Sequence, residues 1–329
     1  MAFGGTVPRR MPEGVQAEVR MDPGSARSGL DRQGPYPPPP SHLALTAGVE
    51  LLALAGVSFL AGVAGSFLGI GGGIFLVPFL TLALHLDPRV AVATSLVGVI
   101  ATSSGAASVY VRDRLTNLRL GMFLEVATTI GAILGALVAI YIDPRALFLV
   151  FAVVVLSAAA YMARTGETAR DRAYQGATAR AAESLRLDSL YFDPEDRGVY
   201  RYRVARPVAG FAASAFAGGL SGLLGVGGGF VKVPVMNVLM RVPLKAAIAT
   251  SNFMIGVTAA ASAFLYYAHG FLDPVLAAVV VLGVLGGTVA GTRLMVRTRS
   301  QRIRLAFAAV LVILGVLMGL RAFGVAVVP

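Results

Sequence analysis

Apolar runs close to twenty residues long recur along this chain, and they constrain its fold more than any other feature. A helix rises about 1.5 Å per residue, so twenty residues match a hydrocarbon core of roughly 30 Å. Runs of this kind are expected to span at about 90–110, 119–142, 145–163, 245–268, 273–295 and 303–325. Two further apolar blocks, 43–84 and 207–240, are too long for one straight crossing. Hydrophobic residues make up 56% of the chain and charged residues 14%, against roughly 25% charged in soluble domains. A soluble protein of this composition would leave much apolar surface in water. The expected fold is therefore all-α, a polytopic helical membrane protein whose first partner is the lipid bilayer.

Both long blocks are interrupted by glycine, at Gly69-Ile70-Gly71-Gly72-Gly73 and at Gly225-Val226-Gly227-Gly228-Gly229. A shift of 156 residues places the first motif on the second, Val77-Pro78 on Val233-Pro234, Ala93-Thr94-Ser95 on Ala249-Thr250-Ser251, and Gly131 and Gly135 on Gly287 and Gly291. A gap-free offset held over about 65 residues is the signature of a duplication. The chain divides into a disordered N-terminal tail (1–41), a first membrane repeat (42–163), a polar cytoplasmic linker (164–206) with nine Arg and seven acids, and a second membrane repeat (207–329). The tail lacks the apolar core of a signal peptide and contains four consecutive prolines, 37–40.

Loop charge bears on orientation. If each block folds back at its glycines, as a hairpin or re-entrant helix, every half has five segments and the second half is inverted. Arg112, Arg114, the linker, Arg241, Lys245 and the arginines from 297 to 304 then share one face, while Arg89, Arg145 and Arg321 take the other. That asymmetry is what the positive-inside rule requires. A single crossing per block would split the basic loops between faces. Inverted repeats are expected.

Several function classes fall away. With no Cys and with His42, His85 and His269 far apart, neither a disulfide nor a metal site is expected. The net charge of +11 reads as cytoplasmic-loop arginine rather than nucleic-acid binding. No metalloprotease or nucleophile-elbow motif lies in a span, and the GxGGG motifs lack the strand and soluble βαβ unit of a nucleotide loop. No enzyme activity and no cofactor is expected.

The candidate site is built from the breaks. Gly69, Gly71, Gly72, Gly73, Gly225, Gly227, Gly228 and Gly229 are too many for packing alone, since each destabilises a helix by roughly 1 kcal/mol. Unwound backbone at membrane depth is tolerated where it is buried in protein or lines a cavity, and paired breaks in two inverted halves mark a transporter's midplane site. A half-helix starting after each break would aim free N–H groups at an anion. Thr94, Ser95, Thr250, Ser251 and the adjacent Asn252 could donate to its oxygens, although hydroxyls in spans often bond their own helix. Lys232, where the first repeat has Leu76, is a cation inside a span and a candidate anion ligand; snorkelling is the bland alternative. Glu125 could pair with Lys232 or carry a coupling proton. Tyr110, Tyr266 and Tyr267 read as interfacial anchors, and Asn237 as a weaker candidate.

At Gly69–Pro78, Gly225–Pro234 and the two Ala-Thr-Ser triplets the sequence resembles the sulfite exporter TauE/SafE family. The resemblance covers nearly all of residues 45–325 and not the N-terminal tail. It implies an inner-membrane transporter of sulfite, an organosulfonate such as sulfoacetate, or another organic anion. The expected function is a secondary transporter that exports a small sulfur-containing oxyanion, one half rocking against the other. A passive anion channel and an uptake permease on the same fold are the alternatives, and a membrane receptor acting through the linker is a third.

Overall fold

The computed structural model describes residues 44–164, 185–193, 198–298 and 300–323. The expected tail at 1–41 and residues 165–184 of the linker lie outside them. Ten helices carry the described chain: α1 Ala44–Leu68, α2 Gly73–Leu82, α3 Pro88–Arg112, α4 Leu118–Tyr141, α5 Pro144–Arg164, α6 Pro207–Leu224, α7 Gly229–Pro234, α8 Leu244–Ala268, α9 Pro274–Arg297 and α10 Ser300–Ala322. Six are long and apolar enough to cross a membrane: α1 from Glu50, α3, α4, α6, α8 and α9. The polytopic all-α architecture is the one the apolar runs predict, although the expected runs at 145–163 and 303–325 fall on α5 and α10, which are not among these six. The described linker residues depart from it, because β1 (Ser189–Asp193) pairs antiparallel with β2 (Gly198–Tyr202).

Each break ends one helix and starts another. Gly69, Gly71 and Gly72 hold φ of 75°, 79° and 80°, and Gly225, Gly227 and Gly228 hold 71°, 74° and 71°. This left-handed region is open to glycine and penalised by a Cβ. The helices beyond are short. α2 has 10 residues, about 15 Å, or half a hydrocarbon core. α7 has six and passes at Pro234 into a π-helical turn, Val235–Leu239. The second limb of each block is thus a half-span.

The repeat extends into backbone where the side chains differ. His85 and Arg241, 156 apart, both hold positive φ, as do Arg114 and Gly270. Asn117 caps α4 and Asp273, its counterpart, caps α9.

The halves are knitted together. α1 packs on α9, where Gly287 lies against the backbone of Phe59 and Val63, and Gly291 against Val63 and Ser66. α6 packs in the same way on α4, with Gly131 against Ala215 and Gly135 against Gly219. Each half's first helix therefore lies on the other half's fourth, and small residues permit the close approach. Residue numbers rise together along both pairs, so the paired helices are parallel. α3 also runs parallel to α9, with Gly98 beside Val280 and Gly105 beside Thr288. Since α1 and α3 share that direction, the chain must turn back between them through α2. α4 packs on α8 as α9 packs on α3, and two further large contacts join counterparts, α3 to α8 and α5 to α10.

Loops gather at two ends. At one, Asn117 donates its backbone N–H to Thr250 and its side-chain amide to Leu187 O and the Tyr202 hydroxyl, while Ala205 N–H bonds Met240 O. The hairpin is thereby fastened beside the start of α8. Burial pushes the Tyr202 hydroxyl up to about 12, opposed by the hydrogen bond from Asn117. At the other end the Arg89 guanidinium lies 5.7 Å from the centre of the Phe271 ring and reaches Ile142 O.

Candidate functional site

The two breaks meet backbone to backbone. The Gly73 Cα faces the carbonyl of Gly225 and the backbone of Val226, and the Gly229 Cα faces the carbonyl of Gly69 and the backbone of Ile70. Val99 and Ile255, themselves counterparts, cover Gly71 and Gly227. The glycines of the two motifs are thus brought together at the centre of the molecule, in contact with one another.

Hydroxyls from the central helices hold the breaks. Ser251 Oγ donates to Gly69 O of the other half at 2.8 Å, and Ser95 Oγ has Gly225 O of the other half at 2.9 Å and Val92 O of its own helix at 2.8 Å as acceptors for its one proton. Tyr110 donates to Ser66 O at 2.9 Å and Tyr266 to Gly222 O at 3.1 Å, each within its own half. All four bonds fall three residues before a break or on its first glycine, where α1 and α6 run out of internal partners. The serine protons are therefore committed to the protein in this conformation. Both tyrosines are buried, at 0% and 1% exposure, and are clasps rather than the interfacial anchors expected of them; Tyr267 is exposed.

The other polar candidates are dispersed. Thr250 accepts the Asn117 N–H, whereas the Thr94 hydroxyl is buried with no partner among the described residues. The Asn252 amide donates to Ser66 O and Ile248 O, and its Oδ1 is buried without a partner. Asn237 donates to Val242 O and ties off the π-helical turn.

Lys232 and Glu125 form a separate polar cluster. Lys232 is 1% exposed and Glu125 9%. Lys232 Nζ donates to Thr258 Oγ1 at 2.9 Å, and Thr258 donates to Glu125 Oε1 at 2.7 Å. Thr128 and Thr129 donate to the same carboxylate at 2.9 and 3.0 Å. A hydroxyl has one proton, so a Thr258 that accepts from Lys232 turns its own proton towards Glu125. Cation and carboxylate are linked through that hydroxyl and lie more than 4 Å apart, since the described ion pair within that distance is Arg112–Asp113 at the surface. This burial rules out snorkelling for Lys232.

The first half has no such cluster. The counterparts of Lys232, Glu125, Thr128 and Thr129 are Leu76, Val281, Val284 and Leu285. Leu76 and Val284 join Leu54, Leu80 and Val280 in an apolar cluster, and Thr102, the counterpart of Thr258, bonds Gly98 O of its own helix. Residue substitution at Lys232 is visible in the sequence as a break in the repeat. Thr258 is not singled out there, although it coincides with Thr102 under the same 156-residue shift, and the paired tyrosines are named only as weaker candidates. No group of His and acids that could hold a metal occurs among the described residues.

Six helices long and apolar enough to span, two facing glycine breaks and a buried Lys–Thr–Glu cluster are the frame of a polytopic membrane protein of the transporter class. The chain belongs to the sulfite exporter TauE/SafE family, whose model matches residues 54–318. It is similar to the probable membrane transporter protein YunE of Bacillus subtilis, at 25% identity over 81% of this chain and 96% of that protein. It is also similar to the probable membrane transporter protein MJ0441 of Methanocaldococcus jannaschii, at 25% identity over 80% and 92%. A probable membrane transporter protein of Xylella fastidiosa matches at 26% over 77% and 88%. No solved structure matches. The protein is accordingly a membrane transporter and not an enzyme, working in a lipid bilayer on a small anionic substrate.

Proposed function

We propose that this protein is a secondary transporter of a small sulfur-containing oxyanion, sulfite or an organosulfonate such as sulfoacetate, and that it exports the anion across the inner (plasma) membrane. The observation that carries this reading is Lys232, a lysine sealed within the bundle on a half-span that starts at a break. A buried cation is expensive in a membrane interior and marks a substrate or ion pathway. Membership of a sulfite exporter family supports sulfite and export for this chain.

In this reading the anion binds where the breaks, the central helices and the Lys232 cluster adjoin. Lys232 supplies charge, and backbone N–H groups at the glycines of both motifs (69, 71–73, 225, 227–229) supply donors. Thr94 and Asn252, with unpartnered buried atoms, and Ser95, Thr250 and Ser251, once released from their present partners, complete the donor set. Glu125 is the coupling group and the proton the coupling ion. The parallel packing of α1 on α9 and of α6 on α4 supports inverted halves, because α4 follows α3 by a short loop and so runs against α1. The end bearing Asn117, the hairpin and Lys245 is then cytoplasmic.

The test is counterflow in proteoliposomes holding the full chain. Labelled sulfite, sulfoacetate or thiosulfate should exchange saturably against unlabelled anion on the far side. Absence of saturable exchange for all three overturns the reading, and unitary currents without trans-stimulation turn it into a channel.

A further inference from the structure

The Lys232 site already holds an anion of its own. Its ammonium is bound to Thr258, and Thr258 is turned to the Glu125 carboxylate, which Thr128 and Thr129 also hold. One positive and one negative charge are sealed in a neutral unit. A second anion arriving there would leave the interior with an uncompensated negative charge, a penalty of several kcal/mol per ion. Neutrality returns only if a proton arrives with it.

The surroundings offer few other charges. Among the described residues, α6 carries no titratable group and α7 carries Lys232 alone. α8 adds Lys245, thirteen residues before Thr258 and so about 20 Å along the helix, and Tyr266 and Tyr267 at its far end. α4 itself adds Arg119 and Tyr141, at its two ends. Protonation of Glu125 is the local means of balancing an incoming charge.

We propose that the site takes a monovalent oxyanion together with a proton, the substrate displacing the Glu125 carboxylate from Thr258 as that carboxylate is protonated. This rests on the reading of Lys232 as the substrate's counter-charge; because anion and proton leave together, export runs down the anion's own gradient and the proton balances charge rather than driving the exit. The Thr258 proton, now given to Glu125, turns to a substrate oxygen, and Lys232 stays charged and donates to the same anion. The carboxyl proton sits on Glu125, and the Thr128 or Thr129 oxygen accepts it. Charge balances as Lys⁺ and Glu⁻ before binding, and as Lys⁺, substrate⁻ and neutral Glu after it. A dianion would leave one negative charge over, so within the anions proposed above the site selects bisulfite or a sulfonate with no second ionised acid, and excludes sulfate, thiosulfate and fully ionised sulfoacetate. Thr258 is a positioning residue that changes acceptor between the two states.

The experiment uses the full chain in proteoliposomes with a lumenal pH dye, and methanesulfonate and sulfate as probes. Counterflow without gradients first establishes exchange of labelled methanesulfonate, with labelled sulfite in parallel. Net methanesulfonate flow should then carry about one proton per anion in the same direction, at a rate unmoved by a valinomycin-clamped potential. Sulfate should not exchange. Glu125→Gln should lower the proton ratio to near zero at whatever rate it still exchanges, and if it carries nothing the wild-type ratio decides. Methanesulfonate flow with no accompanying proton, an unchanged ratio in Glu125→Gln, or equal exchange of sulfate overturns the proposal and leaves the transport reading standing. Failure of both methanesulfonate and sulfite to exchange overturns the transport reading and this proposal with it.

Discussion

At the scale of the residue, the contrast between Lys232 and Leu76 sets the energetics. Glu125 is buried because Lys232 and three threonine hydroxyls satisfy it. Lys232→Leu copies the first half at one position and leaves the carboxylate without its counter-charge. Removing one partner from a buried pair is destabilising by about 3–5 kcal/mol, so thermal unfolding in detergent should shift sharply downward. Adding Glu125→Val copies the apolar version found beside Leu76, and the double variant should recover most of the loss while remaining unable to bind anion. A single variant as stable as wild type would show that the two side chains do not depend on each other. Part of this was legible beforehand. Lys232 stood out because the repeat supplies its own reference residue. Thr258 did not, because a threonine in an apolar span reads as a hydroxyl bonded to its own helix, and its counterpart Thr102 does bond that way. What separates the two is the neighbouring helix, which periodicity cannot place.

At the scale of the element, each break is a helix end whose carbonyls find partners on other helices. Ser251→Ala would leave the Gly69 carbonyl short of its buried donor, and Ser95→Ala would do the same to Gly225. Stranding a buried polar group costs about 1–3 kcal/mol. Ser251→Ala should lose the more stability, because the Ser95 proton is shared with Val92 O; equal losses would show that the Ser95 proton sits on Gly225 O. Tyr110→Phe and Tyr266→Phe form a second pair. The hairpin behaves differently, since it lies outside the spans. Tyr202 ionises more reluctantly when docked than free, so its docking is undiminished below pH 10 and is lost as pH rises through about 12. Tyrosinate absorbance should follow that release. The breaks were readable from glycine count and proline spacing. The hairpin was not, because its strands sit in a linker whose arginines and acids read only as polar.

At the scale of the whole molecule, the sequence halves are not separate packing units. Rocking one half against the other would separate α1 from α9 and α6 from α4, the tightest helix pairs in the fold. The groups that pack most closely are composite, α1 and α3 with α9 and α4 and α6 with α8, and they meet along α3 and α8. The same interlocking makes either half incomplete alone. A gene divided within residues 165–184 should yield stable, active protein when both fragments are expressed together, and neither fragment should accumulate by itself. Accumulation of a folded single half, judged by protease resistance in membranes, would contradict it. Nothing in the sequence showed the exchange of partners. The repeat gives what is equivalent, and contacts between helices decide which equivalent surfaces meet.

The seam where Gly73 touches Gly225 and Gly229 touches Gly69 also bears on the history of the two gene copies. A side chain gained by either copy would strike the backbone of its twin, so each copy holds the other to glycine and neither can drift. Leu76 and Lys232 sit in separate clusters, away from that seam, and a change at one places nothing against the other. Divergence was open to them, and the charge entered on one side of an otherwise even-handed molecule.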